Sequence, residues 1–199
     1  MQPSPFILAS ASPRRRQLLL QLGLEFDILP AHADETVDEE FPPDEHVRIL
    51  AERKARDVAF RIASGVIVGA DTIVVIDGDI LGKPVDEDDA IRMLSTLSGR
   101  RHDVYTGIAL LEVPTWRMEV FHERTEVWFR ELEMQEILDY VRGGSPMDKA
   151  GSYGIQDDFG AVFVERVHGD YYNVVGLPLS RFYTTFRKFT QPQPPLDDE

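Results

Sequence analysis

Cysteine does not occur among the 199 residues. Its absence excludes disulfides, thiolate nucleophiles and Cys-type zinc sites, and it agrees with a cytoplasmic protein. Basic residues are scarce: 21 Lys and Arg stand against 35 Asp and Glu, a formal net charge of -14. A chain so acidic lacks the broad basic face that nucleic acid requires, so no nucleic-acid partner is expected. Long apolar runs are missing too; none approaches the roughly 18 residues that span a bilayer. The opening MQPSPFILAS carries neither a basic n-region nor a useful apolar h-region, so neither a signal peptide nor a membrane partner is expected. Several familiar signatures are also absent. There is no GxxxxGK[ST] phosphate loop, and GADTIVVIDG does not make a GxGxxG. Ser10 and Ser12 lack the GxSxG of a nucleophile elbow, and the five His show no HExxH or paired metal spacing.

What remains is an ordinary globular composition, 43% hydrophobic and 28% charged, in a chain long enough for one full core. Residues 1–190 are expected to form one domain, and the Pro-rich, acidic 191–199 a disordered tail. Strand and helix patterns alternate. FILAS reads as a strand, followed by a helix capped at Ser12 with Pro13 first, an apolar stripe of Leu18, Leu19 and Leu22, and Gly23 at its end. EFDIL reads as a strand, and Asp44 as the cap of a helix reaching about Ala63. Residues 65–84 read as a buried strand, a turn at Asp77-Gly78 and a return strand. An acidic-headed helix closed by Gly99 comes next, then two long strands and a helix ending in Gly143-Gly144. GAVFVERVHGDYYNVVG reads as a second hairpin and LPLSRFYTTFRKF as a last helix. Hairpins mixed with helical crossovers predict an α/β fold with a mixed, twisted sheet flanked by helices.

Against that pattern a few charges are out of place. Arg14, Arg15 and Arg16 occupy the first turn of a helix, where the macrodipole is already positive and favours acids. Either this is a solvated basic turn, or an anion binds where N–H groups, hydroxyls and guanidinium groups converge. Lys54 falls on the helix face shared by Val47, Leu50, Ala51, Val58 and Ile62, so it must snorkel, pair with an acid or line a cleft. Arg61 shares that face further along. Asp71 interrupts two β-branched runs that read as buried. It is either an acid at a strand end or bulge, or a metal ligand or general base. Lys83 follows the return strand, where a lone Lys is ordinarily solvated. DKAGSYGIQ, 148–156, is the Gly-rich kind of loop that lets backbone approach a ligand, although many such loops are only connectors. The acidic run DETVDEE is most simply a solvated loop with one hard oxygen ligand to offer to Mg²⁺ or Mn²⁺.

Taken in order, LASASPRRRQLL, Asp34-Glu35, ERKA, GADTIVVIDGDILGKP, LSG…HDVYTG, DKAGSYGIQ and VVGLPL resemble the Maf family over about Ile7 to Phe186. That family is also described as septum formation inhibitor proteins and consists of nucleoside triphosphate pyrophosphatases. The resemblance implies a fold similar to that of the inosine triphosphate pyrophosphatases, with a cleft between two lobes. It implies hydrolysis of a nucleoside triphosphate to monophosphate and pyrophosphate with a divalent cation, Mg²⁺ or Mn²⁺, and it is compatible with a homodimer. By the same resemblance Asp71 is the catalytic base and, with Glu35, the metal holder. Ser10, Ser12, Arg14 and Arg15 cradle phosphate, Lys54 and Lys83 clamp it, and Thr72, Lys149 and Gln156 lie near the nucleotide. Arg14, Thr72 and Gln156 are similar to the dTTP/UTP branch rather than the branch that takes methylated guanosine triphosphate. Asp157 and Asp158 depart from the glycine expected close behind Gln156, which bears on base selection. The nearest rival is the same chemistry on another base, a purine or methylated guanosine triphosphate; the rival from a different class is a nucleotide-binding regulator of cell division, which would not require Asp71.

Overall fold

The computed structural model describes residues 5–36, 41–156 and 158–191. Of the tail expected to be disordered, all but Gln191 lies outside these residues, as does Asp157.

A seven-stranded mixed sheet organises the chain in the order β2-β1-β3-β5-β6-β7, with β4 beside β3. Its spine is three long strands: β3 (Gly65–Ile76), β5 (Arg101–Val113) and β6 (Met118–Phe129), paired antiparallel in sequence. Short β1 (Phe6–Leu8) runs parallel to both β3 and β2 (Asp27–Ile28), and β4 (Asp79–Leu81) folds back antiparallel on β3. The β3–β4 turn is made by Asp77 and Gly78, both at positive φ (54° and 94°), the pair of left-handed residues that a tight hairpin turn demands. β7 (Val164–His168) closes the far edge.

β3 reads as nearly continuous apolar sequence because both its faces are covered. Side chains alternate across it. Val66, Val68, Ala70, Val74 and Ile76 enter the main core beneath α1 (Pro13–Gln21), α3 (Glu87–Leu97), α4 (Met134–Arg142) and α6 (Leu179–Thr190). Ile67, Ile73 and Val75 face the other way, toward α2 (Pro43–Ala59). That period of two places Asp71 on the α2 face and Thr72 on the α1 face. α2 lies against the sheet because Gly69 and Gly107 present no side chain beneath it. A Cβ at Gly69 would stand 2.1 Å from the Ala51 carbonyl oxygen, and one at Gly107 2.2 Å from that of Val47.

Four local expectations are corrected. Asp44 does not cap α2: Pro42 is the N-cap, Pro43 starts the helix with its fixed φ, and Asp44 and Glu45 complement the dipole from the first turn. α2 also ends at Ala59, short of Ala63. The EFDIL strand shrinks to Asp27–Ile28, since only Ile7 and Leu8 of β1 pair with it. The second hairpin is absent; only β7 is a strand, and YYNVV forms the short helix α5 (Tyr171–Val175). Its caps override the β-branched composition. The Asp170 carboxylate accepts from the Tyr172 and Asn173 amides at 2.7 and 3.4 Å, and Gly176 stops the turn at φ 118°.

Candidate active site

The cleft begins as a gap in the sheet. One edge of β3 is paired with β1 at Val66–Val68 and with β4 at Val74–Ile76. Between those two ladders neither strand pairs with Gly69–Ile73 on that edge. The chain leaves β1 at Ser10, just after the Ala9 amide donates to the Val68 carbonyl at 2.9 Å. A cavity of about 760 Å³ opens there, within the range that holds a nucleotide-sized ligand. Every residue singled out above for the site lines it: Ser10, Ser12, Arg14, Arg15, Glu35, Lys54, Asp71, Thr72, Lys83, Lys149 and Gln156. Arg16, the third of the arginines, does not.

On the α2 side, the Lys54 ammonium bridges two carboxylates, 2.6 Å from Asp71 Oδ1 and 2.7 Å from Glu35 Oε1. Of the three ways to accommodate a lysine on that apolar face, pairing with acids while lining a cleft is the one adopted. The bond from Lys54 holds the Glu35 carboxyl below its ordinary range, against the opposing effect of burial. Glu35 lies on an irregular segment that Arg53 pins down, its guanidinium donating to the backbone carbonyls of Asp34 and Thr36 at 3.3 and 2.5 Å. Among the described residues no cluster of three or more His, Cys, Asp or Glu gathers at one point. Glu35 and Asp71 converge on one cationic position, the Lys54 ammonium. Two hard oxygen donors of this kind suit Mg²⁺ or Mn²⁺, which take one or two carboxylates and complete their shell from phosphate and water.

On the opposite side, Ser12 caps α1 as expected, its hydroxyl accepting from the Arg15 amide at 3.4 Å. Arg15 turns inward. Its guanidinium donates to the Gly176 carbonyl (2.9 Å), to Thr72 Oγ1 (2.9 Å) and to Ser10 Oγ (3.3 Å). Burial draws this guanidinium below its ordinary pKa while Asp71 pulls it back up. Arg14 reaches across to the Gly-rich loop, bonding Asp148 Oδ2 at 2.8 Å and its carbonyl at 3.1 Å. Lys149, only 7% exposed, bonds the other oxygen of Asp148 at 2.9 Å. Burial alone would raise the Asp148 pKa, but the bonds from Lys149 and Arg14 bring it below the ordinary value. The loop is tied to the end of β4 by the Gly151 amide on the Gly82 carbonyl at 3.0 Å. Lys83 beside it also lines the cavity, and its positive charge adds to that of Lys54 in holding the Glu35 carboxyl down.

Three titratable residues of the cleft were not given a role from the sequence, although Asp148 and Tyr153 belong to the Gly-rich loop 148–156 noted there. Asp148 anchors both Arg14 and Lys149. His46 lies eight residues before Lys54, with Leu50 between, on the α2 face that lines the cavity. The helical spacing that marked Lys54 also marks it. Burial lowers its pKa, partly offset by Asp71. Tyr153 lines the far wall and is held from behind by His102, whose Nε2 lies 2.8 Å from the phenolic oxygen. No sequence period connects those two residues.

His102 is 1% exposed, and burial pulls its pKa from 6.5 to about 3. Between those values the unfolded chain takes up a proton that the folded chain refuses. This contribution to stability is therefore complete above pH 6.5 and is lost as pH falls toward 3. Between pH 7 and 5 it amounts to about 2 kcal/mol. Urea unfolding of wild type and His102→Gln at both pH values checks it: the wild type should lose about 2 kcal/mol more than the variant, and equal losses would contradict a buried neutral imidazole.

A family model described as Maf-like protein matches residues 5–189. The chain is 48% identical over 183 residues to a Pelotomaculum thermopropionicum protein named dTTP/UTP pyrophosphatase, covering 92% of this chain and 95% of that one. It is 52% identical over 176 residues to a Moorella thermoacetica protein of the same name, covering 88% and 90%. A Geobacillus protein, again so named, is 51% identical over 175 residues, covering 88% and 92%. A mixed sheet whose β3 leaves one edge open around Asp71, a cleft lined by residues from each motif that resembled one family, and matches spanning nearly the whole chain agree on a single assignment: the chain belongs to the Maf family.

Proposed function

We propose that this protein hydrolyses dTTP and UTP to the nucleoside monophosphate and pyrophosphate. The observation that carries the reading is the convergence of one carboxylate, Asp71, with the cations of two facing walls in a single cleft. The relatives named dTTP/UTP pyrophosphatase at 48–52% identity support the choice of substrate.

A triphosphate brings several negative charges into a protein of net charge -14, so local neutralisation is required. The hydroxyls of Ser10 and Ser12 and the first turn of α1, with Arg14 and Arg15 beside them, receive phosphate oxygens. Lys54 and Lys83 clamp the tail from the other wall. Asp71 accepts a proton from water as its oxygen attacks the α-phosphorus; the α–β bridging P–O bond breaks and pyrophosphate departs with that oxygen. Charge growing on the leaving group is met by the lysine and arginine cations already in place. Glu35 and Asp71 would hold a divalent cation, which supplies Lewis-acid polarisation of phosphate when bound. Thr72, Lys149 and Gln156 face the nucleoside. The described residues contain no helix long and apolar enough to cross a membrane. An enzyme for these substrates would work on the cytoplasmic nucleotide pool.

A panel of standard and methylated nucleoside triphosphates, assayed with Mg²⁺ and Mn²⁺ for pyrophosphate and orthophosphate, tests the reading. dTTP and UTP should exceed the others by roughly 10²-fold in kcat/KM, with pyrophosphate as product. Release of orthophosphate would move the cut to the γ-phosphorus. Equal turnover of methylated GTP would reassign the base, and tight binding without product would favour a regulator.

A further inference from the structure

Behind Thr72 lies a chain of hydrogen bonds in which the direction of each hydroxyl proton can be worked out. Thr106, fully buried on β5 and opposite Thr72 in the register, lies 3.0 Å from it, oxygen to oxygen. Thr106 Oγ1 also lies 3.0 Å from the carbonyl oxygen of Asn173. A carbonyl oxygen only accepts, so the single hydroxyl proton of Thr106 is committed to it. Thr106 must then accept in its contact with Thr72, and Thr72 must donate there. Asn173 cannot move out of this arrangement. It is buried, its side-chain amide donates to the Val104 carbonyl and to Thr125 Oγ1 at 3.0 Å each, and the Asp170 cap fixes the helix that carries it. On its other side, Thr72 Oγ1 accepts from Arg15 at 2.9 Å. Its proton and one lone pair are thus engaged, and one lone pair remains for the cleft that Thr72 lines.

We propose that Thr106 and Asn173, which do not touch the cleft, are positioning residues that leave Thr72 only an acceptor toward the cleft and thereby select a pyrimidine with an N–H at ring position 3, cytosine's only donor on that edge being its exocyclic amine. Thymine and uracil carry one N–H on the pairing edge, the imide at N3. Cytosine has a bare acceptor at that place, and lone pair would face lone pair. The inference rests on the pyrimidine reading above, with Thr72 against the base. It explains why discrimination needs a buried polar chain under the site: a freely rotating hydroxyl donates or accepts at will and tells the two bases apart poorly.

The test compares kcat/KM for UTP and CTP in wild type, Thr106→Val and Thr106→Ser. In Thr106→Val the Thr72 proton is released, and the UTP-over-CTP preference should narrow by about tenfold or more. Thr106→Ser, which keeps the hydroxyl, should restore it. An unchanged preference in folded Thr106→Val overturns the proposal. Should that variant fail to fold, neutron diffraction from deuterium-exchanged wild-type crystals decides. A deuteron on Thr72 directed at Thr106, with that of Thr106 directed at Asn173, supports the relay; the reverse order overturns it. A wild type that turns over neither dTTP nor UTP would count against the pyrimidine reading instead, and the neutron map would still settle the relay.

Discussion

Replacing Asp71 by Asn is expected to lower kcat/KM for dTTP by about 10³-fold or more, the range lost when a positioned general base is removed. The amide has the shape of the carboxylate but accepts no proton from water at neutral pH. The change also removes one of the two carboxylates that meet at Lys54. The fold should survive. Removing one partner of a buried ion pair ordinarily costs about 3–5 kcal/mol, because a charge is left uncompensated. Lys54 is not left so: Glu35 stays 2.7 Å away, and the carbonyl of the new side-chain amide can still accept from the ammonium. A loss of stability below about 2 kcal/mol is therefore expected. Single-turnover kinetics separate the two effects, with denaturant unfolding run alongside. Near-normal turnover by a folded Asp71→Asn would remove Asp71 from the role of base. Inactivity accompanied by unfolding would show instead that its pairing with Lys54 is structural.

How much of this was readable beforehand differs between fold and site. The long strands, α1, α3, α4 and α6 follow from period, caps and glycines, signals carried by neighbouring residues. The misreadings share a cause: a local preference was overruled by a competing local device or by lack of a partner. At residues 171–175 the Asp170 and Gly176 caps outweighed β-branched composition. At 25–29 a strand could grow no longer than its neighbour β1 allowed. The site was legible as misplaced charge. A lysine on an apolar helix face and an acid between β-branched runs each conflicted with their surroundings, and the structure resolves both conflicts by joining them at 2.6 Å. The arginine turn was legible only in part. Helical pattern and charge do not distinguish Arg15, which folds inward onto Thr72 and Gly176, from Arg16, which does not line the cavity; only the family resemblance separated them. That difference is set by where α1 sits on the sheet. The Gly-rich loop 148–156 was legible as a unit, but the particular roles of Asp148 and Tyr153 within it, and the Thr106–Asn173 relay, depend on contacts between residues far apart in sequence, and such contacts leave no periodic trace.

The largest expected effect on stability comes from two glycines that have no chemistry of their own. A methyl group at position 69 would lie 2.1 Å from the Ala51 carbonyl oxygen, 2.8 Å from the Ala55 amide and 3.0 Å from the Ala55 Cβ. At position 107 it would lie 2.2 Å from the Val47 carbonyl oxygen and 2.9 Å from the Arg48 amide. Apart from the Ala55 Cβ, which is fixed to the same backbone, these are main-chain atoms in the middle of a helix and cannot swing aside as a side-chain tip would, so α2 must lift from the sheet as a body. Gly69→Ala or Gly107→Ala should each cost about 3 kcal/mol or more, at the upper end for overpacking a core. Gly82→Ala, where an added Cβ meets nothing within 4 Å, serves as the stability control and should lie within about 0.5 kcal/mol of wild type. Urea unfolding measures all three, and an unshifted midpoint for Gly69→Ala would mean that α2 does not pack on β3 as described. The same displacement reaches the chemistry. Gly69 precedes Asp71 by two residues on the same face, Gly107 pairs with Asp71 across the sheet, and Lys54 rides on the helix that both glycines seat. Whatever fraction of either variant folds should therefore turn over dTTP more slowly than wild type, because the close approach of helix to sheet is also what brings Lys54 to Asp71.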